Sequence, residues 1–409
     1  MPLSDVHLVL FLTAGTTLQD WARSGLLERE AELYLRLRPQ LGSISWVSYG
    51  GPADLELAEH LPGIDILINR WRLPNQVYIQ QLPWLHRAAF ERATILKAEQ
   101  TGAAEAALRI AQHYGKRFIA RSGFSWALFA AYDPKAYETR YEAILGLERR
   151  VFQAAQRIVM TTEEMREAAL QNHALSPECI CVIPNYVNTQ RFTPPEKPPR
   201  QPRILFVGRL TGQKNVDLLL SAVAPLTHVH VEFIGEGELR GHLEQRIRTE
   251  GLSHVHLLGN RPNSALAEHM QQATVYAQPS RYEGHPKTIF EAMACGLPVV
   301  TTDAPGIRQF IRHSETGWLS DMTTESIREG LETLLADAAL RERLGKAARE
   351  YVVSHYALDA IVPQEIDLLK SVYTLPAPTA QPEPRPWLRS GFTYAERAWR
   401  LVRRRIVER

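Results

Sequence analysis

Short apolar runs alternate with amphipathic stretches along most of the chain. The runs have the length and the β-branched and aromatic content of strands, and the stretches between them have the apolar spacing of helices. The predicted strands of the first half are VHLVLFL, SISWVSY, IDILIN, ATILKA, KRFIAR and RIVMT, and those of the second half are RILFVG, VHVEFIG, HVHLLG, TVYAQ and LPVVTT. Helices are predicted at residues 102–114 and 136–155, and after Lys214, Gly237, Asn263 and Pro286. This alternation favours parallel sheets with helical crossovers, so we predict an α/β fold of two Rossmann-like domains that face a central cleft.

Two proline-rich stretches divide the chain. Residues 184–202 contain six prolines, which interrupt helices and central strands. A second proline-rich stretch follows a predicted final helix. The predicted segments are an N-terminal domain (1–190), a linker (191–202), a C-terminal domain (203–355), a helix that returns toward the N-terminal domain (356–374), a proline-rich spacer (375–386) and a tail (387–409).

Composition excludes several classes of protein. The chain has 409 residues and a formal charge of +2, which is too small to indicate a nucleic-acid-binding protein. Three cysteines without Cys-x-x-Cys spacing support neither a disulfide framework nor a zinc ribbon. No apolar stretch approaches the ~20 residues that span a bilayer, and Asp5 stands where a signal peptide would carry a basic residue. We therefore predict a cytoplasmic location.

The segment Arg281–Val300 carries the most informative chemistry. In it, Glu283 and Glu291 flank a turn whose Pro286 suits the first turn of a helix, where free backbone N–H groups can bind an anion. Glu291 precedes four apolar residues, and a buried charge needs a partner. The alternative for Glu291 is a structural one, a glutamate favoured by the dipole of the helix N-terminus.

Two cations follow the strand RILFVG. Arg209 and Lys214 lie five residues apart, at the strand end that should face the cleft. A departing diphosphate would need such a pair, because negative charge accumulates on it as the bond breaks. The alternative is two solvated surface cations without a role in binding.

Several segments together resemble glycosyltransferase family 4. They are Ile183–Asn188 with Phe192, Gly208–Leu210 with Lys214 and Asn215, Ile234–Gly237, and Glu283-Gly284 with Glu291–Ala294. The family contains retaining nucleotide-sugar transferases with the GT-B fold, and the resemblance is close over about residues 180–320. A looser similarity of Lys97–Gly102 and Arg121–Gly123 is to relatives that build surface polysaccharides.

The resemblance implies a role for each matching position. Residues 1–190 would bind the acceptor and residues 203–355 the nucleotide-sugar donor. Glu283 would contact hydroxyls of the donor sugar, Glu291 would accept hydrogen bonds from the ribose, and Arg209 and Lys214 would hold the diphosphate. Gly15 would let the backbone of the acceptor domain approach the donor phosphate. The remaining donor-binding positions would be Gly284, His285, Pro286, Lys287 and Thr288, and the catalytic positions would be Glu283, Arg209 and Lys214.

Within the segments that resemble the family, the sequence departs from the family pattern at four positions. Tyr186 stands where the family commonly has Gly, and Asn188 where it commonly has Asp. His285 and Lys287 replace residues that are commonly apolar, although some relatives also have Pro-Lys there. Tyr186 and Asn188 change the contacts expected at the hinge. His285 and Lys287 change the donor turn, Gly284–Thr288.

The resemblance also implies a mechanism. The sugar would be transferred with retention and without a metal ion, and the sequence has no Asp-x-Asp signature of metal-dependent transferases. The nucleotide-sugar is a substrate, and no cofactor is expected. The acceptor would be a saccharide or a lipid-linked saccharide in glycan, polysaccharide or glycolipid assembly. His86 and His113 are candidates for an acceptor-side base by location only, and the alternative for each is a packing or surface residue.

Two other functions fit the same architecture: a sugar-nucleotide epimerase, and a catalytically silent subunit that binds nucleotide-sugar. The joint presence of Arg209, Lys214, Glu283 and Glu291 argues against the silent subunit, because a protein that only binds could lose them.

The tail has chemistry of its own. Residues 387–409 carry seven Arg and two Glu, with apolar residues at spacings of three and four. Such a helix suits an anionic membrane surface, which would place the protein on the inner membrane face. The alternative is a helix that docks on its own domain.

Overall fold

A computed structural model describes residues 3–134, 141–197, 199 and 201–384. The predicted tail, 387–409, lies outside the described residues, and so do residues 136–140 of the helix predicted from residue 136. Two parallel sheets of seven and six strands confirm the predicted pair of Rossmann-like α/β domains.

The first sheet has the strand order β3-β2-β1-β4-β5-β6-β7. Its strands are β1 (His7–Phe11), β2 (Ser43–Val47), β3 (Ile64–Leu67), β4 (Ile95–Ala98), β5 (Arg117–Ser122), β6 (Arg157–Met160) and β7 (Ile180–Val182). The helices of this half are α1 (Leu18–Arg23), α2 (Leu27–Leu37), α3 (Asn75–Leu85), α4 (Arg87–Arg92), α5 (Thr101–Tyr114), α6 (Trp126–Tyr132), α7 (Tyr141–Ala154) and α8 (Glu163–His173). Short 3-10 helices lie at Leu3–Asp5, Arg38–Gln40, Pro52–His60 and Pro177–Cys179.

The second sheet has the order β10-β9-β8-β11-β12-β13. Its strands are β8 (Arg203–Val207), β9 (His230–Ile234), β10 (Val255–Gly259), β11 (Val275–Gln278), β12 (Val299–Thr302) and β13 (Trp318–Ser320). The helices are α9 (Val216–Val223), α10 (Arg240–Thr249), α11 (Asn263–Gln271), α12 (Lys287–Ala294), α13 (Thr324–Ala336), α14 (Ala338–Tyr356) and α15 (Leu358–Thr374).

Both sheets reverse their order at one point, between β1 and β4 in the first and between β8 and β11 in the second. The carboxyl ends of strands at such a point diverge into a crevice that binds ligands in open α/β sheets. The loop with Gly15 follows β1, the loop with Arg209 and Lys214 follows β8, and the loop with Glu283 follows β11. The predicted site residues therefore come from the two places in the fold where a ligand is expected.

Helix α15 packs on the first domain, although it follows the second in the chain. Its apolar residues, among them Ile361 and Leu369, belong to the first domain's core. Glu365 is fully buried there and accepts hydrogen bonds from Lys97 Nζ (2.9 Å) and Arg121 Nη1 (2.9 Å). Arg121 also donates to the carbonyl oxygens of Ile183 and Pro184 in the crossover segment, residues 183–192, which follows β7. This buried cluster therefore ties α15 and the crossover segment to β5.

Candidate functional site

Glu283 and Lys214 meet at the crevice of the second sheet. Strands β8 and β11 are direct neighbours, with Ile204 opposite Val275, so the loops that follow them lie side by side. Lys214 Nζ donates a hydrogen bond to Glu283 Oε1 at 2.5 Å. Both side chains are largely buried, at 13% and 6% exposure. The two predicted catalytic residues thus form an ion pair with little solvent screening.

The carboxylate of Glu283 has a fixed orientation. Its Oε1 atom also accepts hydrogen bonds from Gln278 Nε2 (2.8 Å) and Ser280 Oγ (2.6 Å). The backbone N–H of Glu283 donates to Pro305 O at 3.0 Å. Gly306 has φ +78°, and a Cβ atom there would lie 1.7 Å from Glu283 O, so the loop requires glycine to approach this closely.

Gln278 connects Glu283 to the donor turn. Its Oε1 atom accepts hydrogen bonds from Thr288 Oγ1 (2.9 Å) and Tyr276 OH (2.7 Å), while its Nε2 atom donates to Glu283 Oε1. The side chain is fully buried, so the network orients the groups around it. Gln278 and Ser280 are not among the site residues predicted from the sequence. A polar residue that ends the apolar strand TVYAQ was the available signal for Gln278.

Arg209 lies at the exposed side of this site and does not contact Glu283. Its Nη2 atom is 3.4 Å from Gln213 Oε1, and in the part of the chain that is described it forms no ion pair with a carboxylate. Gln213 Nε2 donates to Tyr282 O (3.1 Å), and Arg281 N donates to Gln213 O (2.9 Å). The loop that carries both cations is therefore attached to the loop that carries Glu283.

The turn at Gly284 touches the first domain. A Cβ atom at Gly284 would lie 2.7 Å from Met165 Cε, 3.0 Å from Phe129 Cζ and 3.2 Å from Gly123 O. Tyr282 packs against Phe129 with a centroid distance of 5.3 Å. The carboxyl edges of the two sheets thus approach each other at the donor turn.

His285 faces the core of the second domain. Its ring packs among Phe290, Phe310 and Tyr356, with centroid distances of 4.5, 4.9 and 5.0 Å. Neither ring nitrogen has a hydrogen-bond partner among the described residues. Burial holds the pKa of His285 well below its ordinary value, and the charges of Arg121 and Lys287 act in the same direction. The ring is therefore neutral and takes the place of the apolar side chain common in the resembled family.

The two charged residues of α12, Lys287 and Glu291, lie close to charged side chains of helix α2 in the first domain. Lys287 Nζ donates to both oxygens of Glu30, at 2.7 and 2.9 Å. Glu291 is 2% exposed; its Oε1 atom accepts from Asn263 Nδ2 (3.0 Å) and lies 3.8 Å from Arg29 Nη1. Its Oε2 atom has no partner in the described part of the molecule, and burial raises the pKa of this carboxyl group despite the charge of Arg29.

Gly15 lies apart from this cluster. It has φ +84° in the loop that follows β1, and a Cβ atom there would lie 3.4 Å from Asn75 Nδ2 of the same domain. No hydrogen bond joins it to the second domain within the described ranges. The structure therefore brings Lys214, Glu283 and Thr288 into one network and places Gly15 on the opposite wall of the cleft.

The two departures in the crossover segment contact helix α2. Tyr186 OH donates to Arg29 O (2.6 Å) and accepts from Leu33 N (3.3 Å). Asn188 Nδ2 donates to Glu32 Oε1. These two side chains thus fix the segment to the helix that supplies Arg29 and Glu30.

The two candidate histidines of the first domain have structural partners. His86 lies 2.8 Å from Tyr78 OH, and burial lowers its pKa to about 4. His113, at the end of α5, accepts a hydrogen bond from the backbone N–H of Glu383. No group of three or more His, Cys, Asp or Glu side chains in the described residues is arranged to hold a metal ion.

Models of two families match consecutive parts of the chain. The model described as Glycosyltransferase Family 4 matches residues 31–191, and the model described as Glycosyl transferases group 1 matches residues 188–351. The chain belongs to glycosyltransferase family 4. The second match contains Arg209, Lys214, Glu283 and Glu291. The first contains Gly123, Phe129 and Met165, the residues of the first domain that lie beside Gly284.

Curated relatives of this family 4 chain include an uncharacterized glycosyltransferase of Methanocaldococcus jannaschii, 33% identical over 172 residues, or 41% of this chain and 44% of that protein. Another is the lipopolysaccharide core biosynthesis glycosyltransferase LpsE of Rhizobium meliloti, 30% identical over 203 residues, or 47% of this chain and 58% of that protein. The chain thus spans about half the length of these relatives.

Solved structures show the fold of the family 4 chain. Sucrose-phosphate synthase from Thermosynechococcus elongatus superposes with a TM-score of 0.73 at 20% identity, over 90% of this chain and 99% of that one. HepE of Anabaena, solved in complex with UDP and glucose, superposes with a TM-score of 0.72 at 17% identity, over 90% and 100% of the two chains. The predicted GT-B fold is confirmed. None of the helices that the structure describes has the length and apolar character needed to cross a bilayer.

Proposed function

We propose that this protein transfers a sugar from a nucleotide-sugar donor to a hydroxyl of a saccharide or lipid-linked acceptor, with retention and without a metal ion. The observation that carries the proposal is the buried pair of Lys214 and Glu283 at the crevice of the second sheet. Exposed Arg209 lies on the same loop as Lys214. The complexes of HepE with UDP and with UDP-glucose support a donor of this chemical class.

In this proposal Arg209 and Lys214 bind the diphosphate, together with the N-terminal turn of α12. As the bond from the anomeric carbon to the phosphate oxygen breaks, negative charge grows on the diphosphate and positive charge on the sugar ring. The cations stabilise the first charge. Glu283, fixed by Gln278 and Ser280, accepts hydrogen bonds from sugar hydroxyls and stabilises the second.

The attacking hydroxyl approaches the face from which the diphosphate departs. A bond forms between the acceptor oxygen and the anomeric carbon, and the hydroxyl proton passes to the departing phosphate oxygen. The step therefore needs no side-chain base, and His86 and His113 need no part in it. Glu291 would accept hydrogen bonds from the ribose through its Oε2 atom, which has no partner in the described part of the molecule.

We further propose that the protein acts in glycan, polysaccharide or glycolipid assembly in the cytoplasm. Binding of residues 387–409 to the inner membrane face would bring it to lipid-linked acceptors. The Rhizobium meliloti relative, named for lipopolysaccharide core biosynthesis, supports this class of product.

A donor screen tests the proposal. UDP-, GDP- and ADP-sugars are added with EDTA or with Mg²⁺, and melting temperature and products are measured. A ligand at 100 times its Kd stabilises the folded state by about 2.7 kcal/mol, so the correct donor raises the melting temperature. The protein should also release nucleoside diphosphate from this donor at the same rate in EDTA as in Mg²⁺. Arg209→Ala should lose the shift, whereas Arg248→Ala, which removes an exposed cation of α10, should keep it. Binding without turnover would indicate a silent subunit, and an isomerised donor an epimerase; either result contradicts the proposal.

A further inference from the structure

The loop that follows β3 has a fixed shape. Asn69, which is 4% exposed, donates from Nδ2 to Leu73 O (2.7 Å) and accepts at Oδ1 from Leu73 N (3.0 Å). Arg72 N donates to Asn69 O (3.0 Å), and Arg72 has φ +52°, a left-handed conformation that is uncommon outside glycine and asparagine. Non-glycine residues in this region persist where the surrounding structure holds them, and they concentrate at binding and catalytic sites.

The tip of this loop exposes an indole. Trp71 is 36% exposed, one of the few large apolar side chains at the surface of the described residues. The guanidinium carbon of Arg70 lies 4.5 Å from the centroid of its ring. The half-buried ring of His86 packs against it in an edge-to-face arrangement, with a centroid distance of 5.4 Å. The indole is therefore held in place while part of its surface stays open.

The two arginines beside Trp71 lack acidic partners. Arg70 and Arg72 are both exposed, and neither forms an ion pair or a side-chain hydrogen bond within the described part of the chain. Neighbouring Arg87, by contrast, pairs with Glu91 at 2.7 Å. Two guanidinium groups and an indole therefore share one surface loop, and no carboxylate among the described residues neutralises their charge.

This loop lies on the same wall of the cleft as Gly15. It follows the carboxyl end of β3, so it belongs to the edge of the first sheet that faces the cleft. It leads into α3, whose first residue, Asn75, approaches Gly15 in the loop after β1. Arg72 precedes Asn75 by three positions, a span of roughly 10 Å. Arg72 is thus close to the wall where the donor phosphate is expected.

We propose that Arg70, Trp71 and Arg72 form a binding subsite for an anionic saccharide, the acceptor side of the transfer reaction. The inference rests on the proposed function and adds the chemical class of the acceptor. The face of a sugar ring, made of C–H groups, packs on the open surface of the indole. Phosphate or carboxylate groups of the same saccharide accept paired hydrogen bonds from the planar guanidinium groups.

A saccharide fits this surface better than a membrane does. Recognition of anionic lipid surfaces typically uses clusters of about four to eight basic residues beside a broad apolar face. This loop offers two arginines and one indole, and the other large apolar side chains that are exposed in the described residues are Leu55, Met322 and Val353. Trp71 is therefore the single exposed apolar side chain of this loop.

Binding of defined saccharides to the full chain tests the proposal without a donor. The probes are a chondroitin sulfate tetrasaccharide, which carries carboxylate and sulfate groups, and the neutral chitotetraose of equal length. Titrations followed by NMR give the Kd of each. We expect wild-type protein to bind the anionic tetrasaccharide at least about tenfold more tightly, a difference of 1.4 kcal/mol.

Three variants and a matched control localise the binding. The double variant Arg70→Gln with Arg72→Asn should bind both tetrasaccharides equally weakly, and asparagine suits the left-handed conformation at position 72. Trp71→Ala should weaken both tetrasaccharides about tenfold, and Trp71→Phe should restore most of this loss. Arg92→Gln, which removes an exposed arginine just before β4 at the opposite edge of the sheet, should change neither.

Several outcomes would overturn the subsite. Equal affinity of the wild type for both tetrasaccharides would contradict the proposal. So would a loss of affinity in Arg92→Gln as large as the loss in the Arg70, Arg72 and Trp71 variants. Inorganic phosphate binding as tightly as the tetrasaccharide would leave an anion site without a role for the indole. If the protein bound phosphatidylglycerol vesicles and no saccharide, and Trp71→Ala lost the vesicle binding, the loop would be a membrane-binding surface instead. Absence of any donor shift in the wild type would contradict the proposed function instead, because the saccharide titrations need no donor.

Discussion

Lys287 and Glu30 form an ion pair between the two domains, with Nζ 2.7 and 2.9 Å from the two carboxylate oxygens. Burial alone would raise the pKa of Glu30, but the charges of Lys287 and Arg29 outweigh it and lower the pKa to about 2. Since Lys287 is also a proposed donor-binding residue, the group that would help to bind the donor already holds the domains together.

This ion pair should contribute measurably to stability. Glu30→Gln leaves the ammonium group of Lys287 without its carboxylate, and Lys287→Met leaves the carboxylate of Glu30 without its ammonium partner. Both side chains are partly buried, so each variant should lower the melting temperature. The double variant should be destabilised less than the sum of the two, with a coupling energy of about 1–3 kcal/mol in thermal or urea unfolding at pH 7.

An exposed pair provides the control for that cycle. Arg87 and Glu91 are separated by the same 2.7 Å, but they lie on one helix at the surface. Their coupling should be much smaller, because solvent screens the charges. Equal couplings for the two pairs would refute the role of Lys287 and Glu30 between the domains.

The buried ring of His285 should make stability depend on pH. The unfolded state binds a proton below about pH 6.5, whereas the folded state, in which the pKa is lowered, does not. The contribution of His285 is therefore fully present above that pH, and it declines below it by about 1.4 kcal/mol per pH unit until the folded pKa is reached.

His285→Phe should remove this dependence and keep the aromatic packing with Phe290, Phe310 and Tyr356. The difference in melting temperature between the variant and the wild type should increase in favour of the variant from pH 7 to pH 5. Both proteins should release nucleotide from the donor at comparable rates, because the ring faces the core. A difference that stays constant over this range would contradict the assigned environment of His285.

Gly284 should be needed for the two domains to close over the donor. The Cβ atom of Gly284→Ala would press on Phe129 and Gly123, which lie in the opposite domain. We expect a nucleotide Kd within about threefold of wild type and a turnover at least about tenfold lower, since closure aligns the reacting groups. Gly241→Ala is the matched control, because a Cβ atom there meets nothing within 4 Å. Equal turnover of Gly284→Ala and the wild type would show that this contact does not matter for catalysis.

The sequence predicted the elements that carry their own pattern. Eleven strands and the loops that bear Arg209, Lys214 and Glu283 were predicted from apolar runs and their following turns. The strands that were missed, Ile180–Val182 and Trp318–Ser320, have three residues each and lie at sheet edges. Such short edge strands form through pairing with a neighbour and leave almost no periodic signal.

The contacts between distant segments could not be predicted. Arg29 and Glu30 lie on an ordinary charged helix in the sequence, and only the packing of the domains brings them to Glu291 and Lys287. The resemblance implies that His285 is a donor-binding position, but the direction of its ring depends on the core formed with Tyr356, 71 residues further on. Patterns along the chain contain neither relationship.

The most direct test of the central claim replaces the carboxylate that Lys214 and Gln278 hold in place. Glu283→Gln keeps the shape of the side chain and removes the charge that would stabilise the sugar in the transition state. The measurement is donor turnover together with nucleotide Kd, with Glu342→Gln, at an exposed position of α14, as the control. We predict a turnover at least about 100-fold lower than that of wild type and a Kd within about threefold of it. Equal turnover of Glu283→Gln and wild type would contradict the assignment of this site.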